Sequence, residues 1–384
     1  MKKPTRSQLN RREVLRLLGV TGVTAASLGR DVLTYAAAQG GAPQIPGGAI
    51  IRTVLSDLAP SALASQATLM HEHLVGGFYS SPPRQPAPAT APPPPRPPAA
   101  QGNAAPREDS PESIDLIVNE LKASKREGLG AIVDAATGRR SDRAIQNLKT
   151  IAERSGVNVV VAGGYYRAPY PAAVIDRPED EIVEEFVRDA AAQRWGAFGE
   201  IGSSLETHPD ERKMMRAVAK AHLRTNLPIF THSPHESCQQ CAIEQLELYT
   251  SQGVDPRHLC IGHLSDLKDD PRADTPKAIA KRGAFVGFDT VGHELLVSKT
   301  TLVTDQMKLN MLLAVLEAGY EDFVLLSSDM AHNNQLKANW GDGFSAVLVT
   351  FVGKMKYAGV KEATIRKILH DNPRRFLAFA PKRA

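Results

Sequence analysis

The sequence predicts an α/β chain folded as one (β/α)8 barrel, in which eight parallel strands alternate with helices. Three observations lead there. Apolar, β-branched runs recur along the chain with helix-like stretches between them. No glycine-rich dinucleotide fingerprint opens any of those helices, which disfavours the alternative of a doubly wound open sheet. Histidine, glutamate and aspartate gather where the runs end, on the rim that carries the chemistry of such barrels.

The first expected strand is "ATLMHEHL" (67–74). It is followed by "GAIVDAA" (130–136), "VNVVVAGGYY" (157–166), "GAFGEIGS" (196–203) and "LPIFTHS" (227–233). "HLCIGHL" (258–264), "GAFVGFD" (283–289) and "DFVLLSSD" (322–329) complete the eight. Segments such as "DERKMMRAVAKAHLRT" (210–225) and "QMKLNMLLAVLEAGY" (306–320) place apolar residues three and four apart, the spacing of one helix face. The barrel, a TIM barrel by architecture, is expected as a single domain over residues 50–384.

Two segments are read as lying outside it. Residues 1–38 pair Arg11 and Arg12 with a short apolar stretch and end in Ala36-Ala37-Ala38, the order of an export signal of the twin-arginine type. The stretch is too short to span a membrane as a stable anchor. The expected mature protein is therefore periplasmic, with a flexible start over 39–49. The second segment, 80–113, holds twelve prolines and almost no large apolar residues, so it is expected as a disordered insertion after the first strand. A linker between two domains is the alternative, but the piece before it is too small to fold alone.

With 384 residues, 42% of them hydrophobic, the chain has ample material for one large core. Its formal charge of +4 is small and partly carried by the first thirty residues, which leaves no basic face for nucleic acid. The three cysteines are an odd number, against a disulfide framework. Cys238 and Cys241 form a C-x-x-C that reads as a redox pair, half a zinc site or a disulfide, and is expected to have no catalytic importance.

On a strand, His71 and His73 project to the same face. Read with the other strand ends, they join Glu200 of the fourth strand, His232 of the fifth, His263 of the sixth and Asp329 of the eighth. Four neutral nitrogens and two carboxylates suit two adjacent divalent ions, zinc first among them, bridged by a carboxylate and a hydroxide and roughly 3.5–4 Å apart.

"HEHL", "THS" (231–233), "DPRHLCIGHLSD" (255–266), "LLSSD" (325–329) and "DNPRRFLAF" (371–379), in that order, resemble the phosphotriesterase family of the amidohydrolase superfamily over about residues 50–379. The resemblance implies that His71, His73 and Asp329 hold the more buried ion and that His232 and His263 hold the more exposed one. It also implies a hydroxide nucleophile, Asp329 as base, and Asp266 as the group that relays the proton outward. The bridge departs from the best-known branch. Where many members carry a carboxylated lysine, this chain has Glu200, as a second branch does, and a buried glutamate paired with arginine is the competing reading. The relay histidine is also missing. Thr290 stands near its place, with His293 a substitute by proximity.

For the substrate pocket the candidates are Tyr165, Tyr166, Arg167 and His293, with Lys337 as another possible anion-binding group. His235 and His332 read as exposed or pocket-lining residues rather than ligands, and His208, His222, His258 and His370 as structural or surface residues. The expected activity is hydrolysis of a small-molecule lactone or carboxylic ester, or of an organophosphate triester. The alternative is a barrel that binds a metal or small ligand without turnover. An isomerase or aldolase would need a catalytic lysine at a strand end, where none is placed. A homodimer is implied by the resemblance alone.

Overall fold

The computed structural model describes residues 43–75, 110–135, 140–292 and 303–382. The export segment and most of the proline-rich stretch lie outside them. That stretch ends sooner than its composition suggests, because Pro111 already opens a helix capped by Ser110, whose hydroxyl accepts from the Ser113 amide (3.2 Å). Proline is well suited to a first helical position, where its missing N–H costs nothing.

Eight strands lie side by side in sequence order: β1 (Ala67–Glu72), β2 (Leu129–Asp134), β3 (Asn158–Gly163), β4 (Trp195–Gly202), β5 (Ile229–His232), β6 (Leu259–Ile261), β7 (Phe285–Phe288) and β8 (Val324–Leu326). Each pairs in parallel with the next. The ring closes where the Asp329 amide donates to the His71 carbonyl and the His73 amide to the Met330 carbonyl, both at 3.0 Å. This is the expected TIM-type barrel, and each strand falls on one of the eight apolar runs. Val159, Val160 and Val161 of β3 are all buried. Strands covered on both faces need no polar alternation, so they read as continuous apolar runs.

Helices α1 (Pro111–Arg126), α2 (Asp142–Ser155), α3 (Glu179–Ala192), α4 (Pro209–Thr225), α5 (Gln239–Ser251), α6 (Asp274–Lys281) and α7 (Asp305–Glu317) follow the first seven strands. Several starts carry side-chain caps: Ser141 for α2, Thr304 for α7, and for α4 a reciprocal pair between His208 and Glu211. The core divides accordingly. Met70, Val133, Val160, Phe230, Phe285 and Leu325 fill the barrel interior, and a larger apolar shell lies between strands and helices. A short hairpin, Ile51–Arg52 against Asp57–Leu58, and the terminal helix Asn372–Leu377 contribute Ile51 and Phe376 to the inner cluster.

Two strands are irregular where the site is built. Along β1 the pairing runs from Leu69 opposite Ile132 to Glu72 opposite Asp134, so β1 carries one extra residue there. Along β4 it runs from Phe198 opposite Ile229 to Ile201 opposite Thr231, again one residue too many. Bulges of this kind re-aim side chains, and these two contain His71 and Glu200. Beside Glu200 only glycine fits, because a Cβ on Gly199 would run into the Phe230 ring.

Candidate metal centre

The six expected ligands meet at the carboxyl ends of the strands. His71 comes from β1 and His73 from the residue after it; Glu200 and His232 lie on β4 and β5. His263 and Asp329 follow β6 and β8 in left-handed backbone, at φ 57° and 49°. A non-glycine residue is uncommon there and is held by its surroundings, as functional positions often are. The His263 amide is fixed by Asp289 Oδ1 (2.8 Å), the Asp329 amide by the His71 carbonyl.

Glu200 is central. Its Oε2 lies 3.1 Å from His71 Nε2, 3.0 Å from His232 Nδ1 and 3.6 Å from His263 Nε2, while Oε1 is 3.7 Å from His73 Nε2. Asp329 faces it from the other side, 3.1 Å from His73 Nε2 and 3.7 Å from His71 Nε2. Two overlapping groups, His71–His73–Glu200 and His71–His263–Asp329, each gather ligand atoms within 4.8 Å.

The residues fit metal ions on two counts. His71 Nε2 is buried and has no directed hydrogen bond, although carboxylate oxygens surround it. Its Nδ1 is taken by Asp289 Oδ2 (3.1 Å), so the Nε2 lone pair points into the site. The second count is charge. Burial would raise the carboxyls of Glu200, Asp289 and Asp329, yet the histidines beside them hold all three well below the usual range. Among the described residues no lysine or arginine pairs with any of the three. The buried Glu–Arg reading of Glu200 therefore fails, and an anionic pocket lined with imidazoles suits cations.

His232 is pushed down to about 3 by burial and by neighbouring His263, which keeps it neutral and able to donate a lone pair. Burial lowers His263 too, but Asp289, Glu200 and Asp329 together outweigh it and carry that group up to about 10.

The ligands differ in exposure. His73 and Asp329 have side chains 23% and 19% exposed, against 2% for His71, 4% for His232 and 0% for His263. The last two are covered. Tyr166 places its hydroxyl 2.8 Å from His232 Nε2, and the His235 ring lies 4.3 Å from that of His263.

Several groups that sequence reasoning missed position the ligands. Asp289, directly after β7, holds both His71 and His263 by their Nδ1 atoms (3.1 and 3.0 Å). It ends an expected strand, and the strand-end rule used for the ligands would have found it. Glu72 accepts from the Ser327 hydroxyl and the Ser328 and Met330 amides, bracing the segment that carries Asp329. Asp134 accepts from the Leu74 amide and pairs with buried Arg140.

Among the other candidates the outcome is mixed. Tyr166 is at the site, and Arg167 lies against its ring (5.4 Å). Tyr165 is not: its hydroxyl donates to Glu185 Oε1 (2.9 Å), and its ring packs on Phe186 of α3 and on Tyr170. Lys337 is paired with Glu127 (2.9 Å). His293 lies outside the described residues. Asp266 is buried and bound to His235 Nδ1 (2.7 Å) and the Thr290 hydroxyl (2.7 Å), so the histidine beside it is His235. Cys238 and Cys241 form a disulfide at the start of α5 and Cys260 is a buried free thiol, so one bridge forms despite the odd count. His208 caps α4 and His222 bonds the Leu227 carbonyl, both structural as expected.

The model of the phosphotriesterase family matches residues 50–377. The chain belongs to the phosphotriesterase family. One relative in that family, the phosphotriesterase homology protein of Escherichia coli, is 32% identical over 269 residues, 68% of this chain and 88% of its own. The N-acetyltaurine hydrolase of Rattus norvegicus is 28% identical over 86% of this chain and 98% of its own. Among solved structures, a resiniferatoxin-binding protein from Rhodobacter sphaeroides superposes with a TM-score of 0.71 at 27% identity, covering 88% of this chain and 97% of that one. The phosphotriesterase family is metal-dependent, and its members similar to this chain include hydrolases. The chain is accordingly a hydrolase whose histidines and carboxylates are grouped to hold metal.

Proposed function

We propose that the chain is a binuclear hydrolase of ester bonds, acting on lactones or carboxylic esters with phosphotriesters as related substrates. The observation that carries the reading is Glu200: one buried carboxylate whose two oxygens face His71, His232 and His263 on one side and His73 on the other. In the proposed assignment His71, His73 and Asp329 would hold one ion and His232 and His263 the other, with Glu200 within reach of both sets. Held there, two divalent ions would supply a water with a pKa lowered to around 7 and a Lewis acid for the bond to be cleaved.

The chain supplies the rest. Asp329, kept ionised beside His73, accepts the proton released in the attack. Asp289 fixes the tautomers of His71 and His263 so that both present Nε2. Tyr166, its hydroxyl against His232, borders the place where a substrate oxygen binds, with Arg167 beside it to meet a negative group. Asp266 acts through His235 and not directly, since Thr290 and His235 occupy its two oxygens. A second reading, hydrolysis of an N-acyl amide with an anionic tail, is favoured by the N-acetyltaurine hydrolase relatives and by Arg167 at the rim. Export to the periplasm and a homodimer remain part of the proposal on sequence grounds.

The test is a panel of lactones, aryl esters, phosphotriesters and N-acyl amino sulfonates offered to the metal-loaded chain, each repeated after chelation. Ester turnover that chelation abolishes is the expected result. Turnover of the amide alone favours the second reading, and metal binding with no turnover at all contradicts both.

A further inference from the structure

His235 belongs to no ligand set assigned so far, yet it is built like the ligands. It lies three residues after His232 in a loop tied at both ends. Gln245 of α5 donates to the His232 carbonyl (2.8 Å), and the Cys238–Cys241 bridge begins α5. Its Nδ1 lies 2.7 Å from Asp266 Oδ2, which assigns the proton to Nδ1 and leaves the Nε2 lone pair available. His71 and His263 show the same arrangement, with Nδ1 on Asp289. Asp266 is itself fully buried and held by the Thr290 hydroxyl, with the Lys308 ammonium 3.5 Å away. A metal-ligating histidine almost always has a carboxylate, backbone carbonyl or water behind it, and Asp266 is such a group. The ligand atoms of His232, His235 and His263 all fall within 4.8 Å of one another.

We propose that His235 is a third imidazole ligand of the metal ion at the His232–His263 position. The inference rests on the two-ion reading above and deepens it. With Glu200, the three histidines would offer that ion four protein donors of the types that zinc takes. Asp266 is a positioning residue for this ligand.

The test uses the full chain stripped by chelation and titrated with Co2+ or Zn2+, reading ions bound, the affinity of each, and the visible spectrum of the cobalt form. Wild type takes up two ions. In His235→Asn one ion should bind as before, while the other weakens by more than the ~10–100-fold typical of losing an outer partner. Its cobalt band should change, and the unfolding midpoint of the metal-free protein should not. Asp266→Asn, which keeps the imidazole, should weaken the same ion by about 10–100-fold. A His235→Asn chain that binds both ions with wild-type affinity and an unchanged cobalt spectrum overturns the assignment, whatever happens to its rate. Wild type that binds fewer than two ions brings down the two-ion reading itself, and this inference with it.

Discussion

Glu200 shows what a single residue does here and how far its role can be read from the chain. A carboxylate inside a buried strand demands a partner, and the described residues offer it only imidazoles. Glu200→Gln keeps the shape but removes the anion that offsets repulsion between two cations. Bound metal, measured by elemental analysis, should fall from two ions toward one, with loss of most turnover. Two retained ions and a near-normal rate would show that Glu200 is not the bridge. The six ligand candidates were legible because each is a His, Glu or Asp at a strand end. Asp289 was equally legible by that rule but was passed over, having no partner near it in sequence. His235 was not legible. Its meaning comes from Asp266, thirty-one positions on and in the turn after the next strand, and only folding brings the two together.

At the scale of elements, the barrel order was readable because buried parallel strands leave long apolar runs. The two bulges were not. An extra residue in β1 or β4 leaves no mark on composition, yet it sets where His71 and Glu200 point. The end of the proline-rich segment was also misplaced, since Ser110-Pro111 is a helix start as well as part of a proline-rich tract. The junction of α4 and β5 offers a separate test. His222 is buried, with Nδ1 2.7 Å from the Leu227 carbonyl, and burial pushes it down to about 4. In the unfolded chain it titrates near 6.5. Between those values only the unfolded state takes up the proton, so the stabilisation is complete above pH 6.5 and is lost as pH falls toward 4. The loss is about 1.4 kcal/mol per pH unit, on the order of 3 kcal/mol in all. In denaturant unfolding of the metal-free protein, His222→Gln should reduce the pH slope over this range by about one proton. An unchanged slope would show that His222 titrates alike in both states.

Over the whole molecule, family membership and barrel agree with the sequence reading, while the addressing segment rests on composition alone. Arg11 and Arg12 precede a modestly apolar stretch, and among the described residues no helix is long and apolar enough to cross a membrane. Replacing both arginines by lysine should hold the precursor inside the cell, as fractionation and blotting would show; normal periplasmic accumulation would mean another kind of signal or none. The central claim is that hydrolysis depends on two ions held by one continuous set of ligands. It is tested most directly by stripping the protein of metal and following ester hydrolysis as zinc is returned in measured equivalents. The account predicts activity that rises to a plateau at two ions per chain. A plateau at one equivalent, or full activity with no metal returned, would contradict it.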